Sequence, residues 1–489
     1  MKQLTQTLLL ALAMMLWLAG CTSTPTDVVM SGEQPKIFPD YNAVTIPATI
    51  APMNFCMENA ERLDVTVKGE KGGEMHVNGD YADFDISEWH ELVAQNKGGK
   101  LTFTVIALQN GKWTQYKPFD MFVSSQSLDD YGLTYRRVAP GYEVYSKMGL
   151  YQRGLSNFDE DAILENTASA GACLNCHTPN ATNPKQFVFH VRGIHGATMI
   201  QKDGKREFLQ AKNELIGGSM VYPYWHKDGK LCAFSTNSTH QAFHTSPKER
   251  IEVFDQSSDV FVYNTETHEV ISDSLLFTKD HYETYPAFSP DGKTLYFVSS
   301  LGHPIPAEYK LIQYNLCSIS FDADKMQYGD HVDTLYNASA DGKSITFPRP
   351  SYDGKYLMFT MSDYGCFPIW HKEADLWLMD LNTKETRPLK EVNSDDTESF
   401  HNWSSNSRWF VFSSRRYDGL YTQLFLSSID EKGRATKPFL LPQENPQKYY
   451  SETLFSFNTP DFTKEKVDFD KFAASREINS DERVETKVK

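Results

Sequence analysis

The sequence predicts an all-β chain in which an N-terminal Ig-like β-sandwich, over residues 36–125, precedes a β-propeller of about six blades, over residues 213–460. Three observations predict this fold class. Short alternating strands fill residues 36–125. Asn110-Gly111 marks a tight hairpin between two of them. Four similar segments then recur at spacings of 63, 62 and 53 residues, measured between Asp228, Asp291, Asp353 and Asn406.

Each of the four repeats has an aromatic start, a polar turn and then an alternating strand. The first three turns read Asp-Gly-Lys, and Asn406-Ser407 replaces Asp-Gly in the fourth. Asp-Gly supplies the positive-φ backbone of a tight hairpin, and the alternation buries one face of each strand. Four strands per repeat at this period are typical of a propeller blade. The repeats begin at Tyr222, Tyr285, Phe347 and Phe400.

These repeats resemble those of the TolB family of periplasmic β-propellers, over roughly residues 222–441. The resemblance implies a closed ring of blades. A ring of six would need two weaker blades, at about residues 133–160 and 186–212.

The remaining segments are predicted from pattern and composition. Residues 126–212 are expected to connect the two β units, with a short helix over 159–166. Residues 461–489 are charged and lose periodicity, which predicts a disordered tail. Within the sandwich we expect a helix over 87–95 and strands over 42–47, 63–67, 101–108 and 119–123.

The overall charge restricts the partners. The formal net charge of the 489 residues is -16, whereas nucleic-acid binding requires a basic surface. Aromatic residues make up 13% of the chain, which favours a globular protein with a buried core over an acidic disordered one.

The first 21 residues predict export. A short apolar run over residues 8–18 is typical of a signal peptide and too short to span a membrane. Leu18-Ala19-Gly20 ahead of Cys21 resembles a bacterial lipobox, which implies cleavage before Cys21 and its acylation with palmitate. The alternative is an ordinary secretory signal with an incidental cysteine. With residues 22–35 as a tether, the protein is expected to be a periplasm-facing lipoprotein of a Gram-negative envelope, at the outer membrane.

Cys173, Cys176 and His177 form a C-x-x-C-H pattern, the attachment signature of c-type haem. Two thiols on one turn can reach the two vinyl groups of the porphyrin. The next residue, His177, is then placed against the iron as its proximal ligand. The pattern predicts one covalent haem c, with iron as the metal.

Three alternatives compete with haem. A zinc site needs a second compact Cys/His pair, and the next cysteine is the distant Cys232. A thioredoxin-type redox pair expects a βαβ setting, whereas this pair lies in a Gly/Ala/Asn/Pro-rich segment. The third alternative is an ordinary disulfide or a pair of free thiols.

The sixth ligand of such an iron stays open among His190, His195 and Met199. A methionine would raise the reduction potential relative to a second histidine. Arg192 could pair with a haem propionate, or it could be an ordinary surface arginine.

The order of these features resembles a family of Gram-negative lipoproteins described as TolB-like or cytochrome c-type proteins. The resemblance covers nearly the whole mature chain and implies architecture more than mechanism. The segments that match, beyond the lipobox, the haem motif and the repeats, are 189–198, 245–255, 362–365 and 395–399.

Three functions remain open. The first is a periplasmic cytochrome that transfers electrons to or from a redox partner protein. The second is a TolB-like propeller scaffold that binds envelope proteins, with the haem structural or absent. The third is a haem enzyme with an open sixth position. An electron carrier or a scaffold is favoured over a catalyst, because no G-x-S-x-G elbow occurs. The residues near repeat turns predicted to be turn and cap groups, without ligand spacing, are His226, Asp291, Asp353 and His401.

Overall fold

The computed structural model of the chain describes residues 24–139, 147–243, 251–452, 454–480 and 482–489. These residues form mostly β-sheet, so the all-β prediction is confirmed. In these ranges no helix is long and apolar enough to cross a membrane. Cys21, the predicted acylation site, lies outside the described residues.

The N-terminal unit is a seven-stranded sheet with one helix. Its strand order is β1-β8-β7-β5-β6, with β9 paired to β7 and β3, while β2 and β4 form a separate two-stranded sheet. Its elements are β1 (Val29–Met30), β2 (Ile37–Phe38), β3 (Thr45–Ile46), β4 (Cys56–Met57), β5 (Arg62–Gly69), β6 (Glu74–Gly79), α1 (Ile86–Gln95), β7 (Lys100–Gln109), β8 (Lys112–Gln115) and β9 (Phe119–Val123).

The local predictions for this unit agree with the structure, and the packing differs from a sandwich. The β7–β8 hairpin turns at Asn110-Gly111. Helix α1 begins after Asp85, whose Oδ1 accepts hydrogen bonds from the backbone amides of Ser87 and Glu88. Two comparable sheets do not face each other here. The apolar face of this sheet instead shares its core with strands from the C-terminal part of the chain, in a cluster that includes Phe103, Trp409 and Val411.

Six further sheets follow along the chain. Their elements are β10 (Gly132–Val138), β11 (Met148–Gly154), β12 (Glu160–Glu165), β13 (Leu174–Asn180), β14 (Asn183–Val191), β15 (Ala197–Lys202), β16 (Lys205–Gln210), β17 (Val221–Trp225), β18 (Leu231–Phe243), β19 (Ile251–Asn264), β20 (Glu269–Ile271), β21 (His281–Phe288), β22 (Thr294–Leu301), β23 (Asn315–Asp322), β24 (Gln327–Tyr336), β25 (Ser344–Pro350), β26 (Tyr356–Ser362), β27 (Asp375–Asp380), β28 (Thr386–Pro388), β29 (Glu398–Trp403), β30 (Trp409–Ser414), β31 (Gln423–Ser428), β32 (Phe439–Leu440), α2 (Pro446–Glu452), β33 (Ser456–Thr463), α3 (Lys471–Ser480), β34 (Val484–Glu485) and β35 (Lys487–Val488).

The six sheets share one plan, a run of antiparallel strands that follow each other in sequence. The first sheet is β33-β10-β11-β12, and the second is β13 to β16 with β34 added at its edge. The third is β17 to β20 with β35 added, and the fourth, fifth and sixth are β21–β24, β25–β28 and β29–β32. The four sequence repeats are therefore the third to sixth sheets. The first two sheets, built on β10–β12 and β13–β16, lie near residues 133–160 and 186–212, where a ring of six would need weaker blades. Both lie in the region expected to be a connector, and the predicted helix over 159–166 is the strand β12.

We call β13, β17, β21, β25, β29 and β33 the lead strands, because each is the first strand in the order of its sheet. Each lead strand contacts the lead strand of the next sheet, and β33 contacts both β29 and β13. Apolar clusters fill the space between neighbouring sheets.

Residues 461–480 and 482–489 contain strands and a helix, whereas the sequence predicted a disordered tail. Strand β33 runs to Thr463, and β34 and β35 add parallel strands to the second and third sheets. Helix α3 buries Ala474 and Ile478, and its Glu477 pairs with Arg206 at 2.6 Å. A few apolar anchors and ion pairs to the sheets thus order a segment whose composition alone indicated disorder.

Candidate ligand-binding site

Each lead strand contains one residue in left-handed backbone conformation, at a point where its pairing register shifts. Such a backbone is strained for residues other than glycine, and it accompanies β-bulges. This left-handed residue occurs at the equivalent position of all six lead strands, so the bulge is a feature of the repeated sheet structure and not of one sequence. The six residues and their φ angles are Cys176 (52°), Tyr222 (50°), Tyr285 (53°), Phe347 (55°), Phe400 (49°) and Thr459 (48°).

The four aromatic members of this set contact one another in sequence. Tyr222 and Tyr285 have ring centroids 4.4 Å apart. The next two pairs, Tyr285 with Phe347 and Phe347 with Phe400, follow at 4.6 and 4.8 Å. The residue after each left-handed position is proline in four lead strands and histidine in two, His177 and His401. Proline is compatible with a bulge, where the ladder does not need its missing amide.

A small cavity of about 40 Å³ lies among five lead strands. This is room for about three water molecules, or for a group of three heavy atoms. Tyr222, Arg349 and Thr459 keep part of their surface exposed, and most of the other lining residues are buried. The lining residues are Cys176, His177, Tyr222, Pro223, Phe347, Arg349, Phe400, His401, Asn402, Thr459, Pro460 and Asp461.

Arg349 brings a positive charge to this cavity. Its guanidinium lies over the ring of Tyr224, with Cζ 5.2 Å from the ring centroid. It forms no ion pair with any acidic residue in the part of the chain that the structure describes. A guanidinium stays charged in proteins and presents five N–H donors. Its charge is therefore available to an anionic group.

Asp461 is the acidic residue of the cavity, and its side chain is only 4% exposed. Burial raises the pKa of Asp461 to about 7, although the positive charge of Arg349 and a hydrogen bond from Thr178 favour the ionised form. Asn402 donates a hydrogen bond from Nδ2 to Asp461 Oδ1. Near neutral pH the Asp461 carboxyl is thus partly protonated and only partly offsets the charge of Arg349.

The two histidines of the cavity are neutral. Burial lowers the pKa of both His177 and His401 to about 3. His177 Nδ1 lies 3.4 Å from Thr459 Oγ1. Within the described chain, His177 Nε2 and both ring nitrogens of His401 have no hydrogen-bond partner. Buried polar atoms without partners are costly, so they indicate a site that can receive a ligand or water.

Several metal-ligand residue types line this cavity, but they do not form a metal site. Across the described ranges, no group of three or more His, Cys, Asp or Glu side chains is arranged to hold a metal ion. Burial also raises the pKa of the Cys176 thiol, which keeps it protonated and weakens it as a ligand.

The C-x-x-C-H residues lie at the start of a β-strand rather than on one helical turn. Cys173 precedes β13, and its Sγ lies 3.2 Å from Arg136 Nη2. Cys176 and His177 occupy in β13 the position that Tyr222 and Pro223 occupy in β17. The shared turn on which the haem prediction depended is absent, and the cavity beside Cys176 is far below the 300–1,000 Å³ or so of usual ligand pockets. These residues do not fit a covalent haem.

The residues predicted around the iron are spread over different surroundings. His190, in β14, has its Nδ1 2.9 Å from Thr198 Oγ1, and burial lowers its pKa to about 3. Met199 is fully buried in the apolar cluster between the first and second sheets. The His195 carbonyl accepts a hydrogen bond from Arg483. None of the three lines the cavity.

Arg192 lies beside Asn175 rather than at a propionate. The Asn175 amide oxygen, oriented to satisfy both groups, accepts from Arg192 Nε at 3.1 Å and from Nη2 at 3.2 Å. The charge of Arg192 also partly offsets the burial of the Cys176 thiol.

Three of the four predicted turn groups do act in turns. His226 Nε2 lies 3.1 Å from the Gly292 carbonyl. Asp291 and Asp353 accept backbone hydrogen bonds two residues further along the chain. His401 is the exception, because it lines the cavity.

Sequence reasoning therefore missed the cavity residues Arg349, His401, Asn402 and Asp461. One signal was present. His401 follows the aromatic start of the fourth repeat, as His177 follows Cys176, and aligning all six lead strands at that point places both histidines together.

No family model and no curated protein matches the chain. Several solved structures match parts of it. One is prolyl oligopeptidase B from Galerina marginata, with 12% identity and a TM-score of 0.37, over 80% of this chain and 54% of that one. A puromycin-hydrolysing peptidase from Mycobacterium tuberculosis has 13% identity and a TM-score of 0.36, over 71% and 52%. Dipeptidyl peptidase 4 from Porphyromonas gingivalis has 13% identity and a TM-score of 0.31, over 70% and 51%. The chain thus spans about half the length of these structures, and TM-scores this low assign it no activity or substrate.

These findings correct the predicted family and function. No family model and no curated protein places the chain among TolB-like cytochromes, and across the described residues no group of His, Cys, Asp or Glu side chains is arranged to hold a metal ion. Membership of a TolB-like cytochrome family is therefore wrong as a prediction. Haem-based electron transfer and the TolB-like envelope scaffold are wrong with it.

Proposed function

We propose that the chain is a six-bladed β-propeller binding protein whose central cavity holds the carboxylate of a small ligand. The six sheets would be the blades, with β33 closing the ring by pairing with β10. The observation that carries the proposal is the guanidinium of Arg349, without an ion-pair partner among the described residues, in a cavity whose other lining residues are mostly buried.

The charge and the size of the cavity both favour a carboxylate. His177 and His401 are neutral, and Asp461 is only partly ionised near neutral pH, so a net positive charge remains. The planar fork of an arginine matches a carboxylate with two parallel hydrogen bonds. A volume of about 40 Å³ accommodates the three heavy atoms of such a group, with the rest of the ligand lying outside. The aromatic residues around the cavity would contact its apolar part.

Calorimetric titration with sodium formate, against sodium chloride at equal ionic strength, tests the proposal. Wild-type protein is expected to bind formate saturably. Arg349→Gln is expected to weaken binding by about 10- to 100-fold, because a hydrogen bond to a charged group contributes roughly 1.5–3 kcal/mol. Arg349→Lys keeps the positive charge but loses the planar guanidinium that makes two parallel hydrogen bonds. Its affinity for formate is expected to lie between those of the wild type and Arg349→Gln.

Arg434→Gln is the matched control, since Arg434 is an exposed arginine paired with Asp430 far from the cavity residues in sequence. It is expected to bind formate like the wild type. Equal binding by wild type and Arg349→Gln, or no response to formate beyond that to chloride, would reject the proposal.

The proposal includes the location predicted from the first 21 residues. The protein would be exported and anchored through acylated Cys21, with the membrane reached only through the lipid. Incorporation of labelled palmitate that is lost in Cys21→Ser would support this part, and equal labelling of both would count against it.

A further inference from the structure

We propose that Asp461 takes up one proton when a carboxylate ligand enters the cavity and then donates a hydrogen bond to that ligand. This inference rests on the function proposed above. It names the residue that sets the charge preference of the site and couples its occupancy to pH.

The hydrogen bonds around Asp461 determine which of its oxygens can carry the proton. The backbone amide of Trp403 donates to Asn402 Oδ1 at 2.8 Å, which fixes the orientation of the Asn402 amide. Asn402 Nδ2 therefore faces Asp461 and donates to its Oδ1. Because Oδ1 already accepts from Asn402, the inference places the proton on Oδ2.

The cavity contains one cation for two carboxylates once a ligand is bound. Two carboxylates that share a buried site cannot both stay ionised cheaply, and one of them is protonated. Arg349 can neutralise the charge of the ligand carboxylate. A protonated Asp461 can then donate a hydrogen bond to that carboxylate, whereas an ionised Asp461 would repel it. Asp461 and the ligand would share a proton in the way of paired carboxylates in enzymes.

The other groups that face Asp461 do not compete for this proton. His177 and His401 remain neutral above about pH 3 because of burial. Burial keeps the pKa of Tyr224 at about 12 and that of the Tyr352 phenol well above its usual range, so both are neutral. The titratable or charged groups around Asp461 are Arg349 and Tyr352 on the side of β25, Cys176 and His177 on β13, Tyr222 and Tyr224 on β17, and His401 on β29.

The proposed step is the protonation of one carboxylate, with no other bond formed or broken in the protein. The Asp461 carboxylate gains one proton from solvent or buffer, an O–H bond forms at Oδ2, and no electron is transferred. Ligand binding should then remove one proton from solution at any pH where Asp461 is ionised in the free protein.

Formate calorimetry in two buffers of different ionisation enthalpy measures this uptake. Wild-type protein is expected to take up about one proton per formate at pH 8 and almost none at pH 5.5. Its apparent Kd for formate is expected to rise about tenfold per pH unit above pH 7, where Asp461 ionises in the free protein. Asp461→Asn is expected to bind formate without proton uptake and with a Kd that is constant from pH 5.5 to 8.

Asp130→Asn is the matched control. Asp130 is also a buried carboxyl with a pKa raised by burial, but it accepts from the Ser405 amide and does not line the cavity. This variant is expected to keep the uptake of one proton. Formate binding by wild type without proton uptake would overturn the inference and leave the proposed function intact. A lack of formate binding by wild type would reject both.

Discussion

Glu252 and His371 form a buried contact between two sheets that do not follow each other along the chain. Glu252 Oε2, in β19 of the third sheet, lies 3.1 Å from His371 Nε2, in the segment between β26 and β27 of the fifth. The two side chains are 4% and 2% exposed. Tyr364 donates its hydroxyl hydrogen to the other carboxylate oxygen at 2.5 Å. The long β18–β19 hairpin is thereby joined to the fifth sheet by polar contacts without access to water.

Glu252→Ala is expected to destabilise the protein by about 3 kcal/mol. The substitution removes the buried carboxylate that accepts from the Tyr364 hydroxyl and contacts His371 Nε2, and each such loss costs about 1–3 kcal/mol. Urea unfolding followed by circular dichroism measures the change. Glu308→Ala is the control, because Glu308 meets His303 at 3.0 Å on the surface, where the pair contributes little. Equal effects of the two variants would contradict the role assigned to burial.

His177→Pro is expected to leave the fold intact, with a change in unfolding free energy below about 1 kcal/mol. Proline already occupies the equivalent position in four lead strands, and His177 lies outside the paired register of β13 and β14. The substitution also removes a ring nitrogen that has no partner. Val188→Pro, in the central strand β14 of the same sheet, should cost about 3 kcal/mol or more. If His177→Pro had a lower unfolding free energy than Val188→Pro, His177 would not be equivalent to the prolines of the other lead strands.

The protein is expected to lack a covalent haem when it is produced in a strain that matures c-type cytochromes. Cys173 and Cys176 lie at the start of a β-strand, in surroundings that leave no space for a porphyrin. Absorption spectra of the denatured protein test this, since covalent haem survives denaturation. A Soret band that disappears in the Cys173→Ala, Cys176→Ala double variant would restore the haem prediction.

The sequence identified the sheets whose turns carry a local signature and gave the other two only approximate ranges, without their strands or pairing. Asp-Gly turns and aromatic starts identified the third to sixth sheets, because both signals lie within one repeat. The first sheet pairs β10, near residue 135, with β33, near residue 460. No local sequence pattern indicates a pairing between strands so far apart in the chain. In addition, β33 has Thr459 at the left-handed position where four lead strands have an aromatic residue. The second sheet has Cys176 at that position instead of an aromatic residue. Together with Cys173 and His177, this cysteine forms the haem-like motif.

The candidate site was hidden for a related reason. Arg349, Asn402 and Asp461 come from three lead strands and have no spacing that marks a catalytic or binding motif. Their meeting depends on the common bulge of the lead strands, five of which contribute residues to the same cavity. His401 was visible as part of a repeat, but its role could be seen only when it was compared with His177 in the same register.

The stability of the protein is expected to fall as the pH rises from about 4 to about 7, and Asp461 supplies part of this slope. The Asp461 carboxyl ionises near its usual value of 3.8 in the unfolded chain, whereas burial raises its pKa to about 7 in the folded protein. Between these values the folded state binds more protons than the unfolded state, so raising the pH favours unfolding. Above pH 7 the contribution is constant. Its size is on the order of 4 kcal/mol, from about 1.4 kcal/mol per pKa unit.

The difference between wild type and Asp461→Asn isolates this contribution. Glu283 is also buried, with a pKa raised to about 8, and it adds to the slope of both proteins in the same direction. Urea midpoints measured from pH 4.5 to 8 should therefore decline in both, and less steeply in Asp461→Asn. Glu283→Gln should lose the part of the pH dependence that Glu283 contributes and keep the part that Asp461 contributes. Identical slopes in wild type and Asp461→Asn would mean that Asp461 is already ionised in the folded protein at acid pH, which would remove the buried proton on which ligand-linked uptake depends.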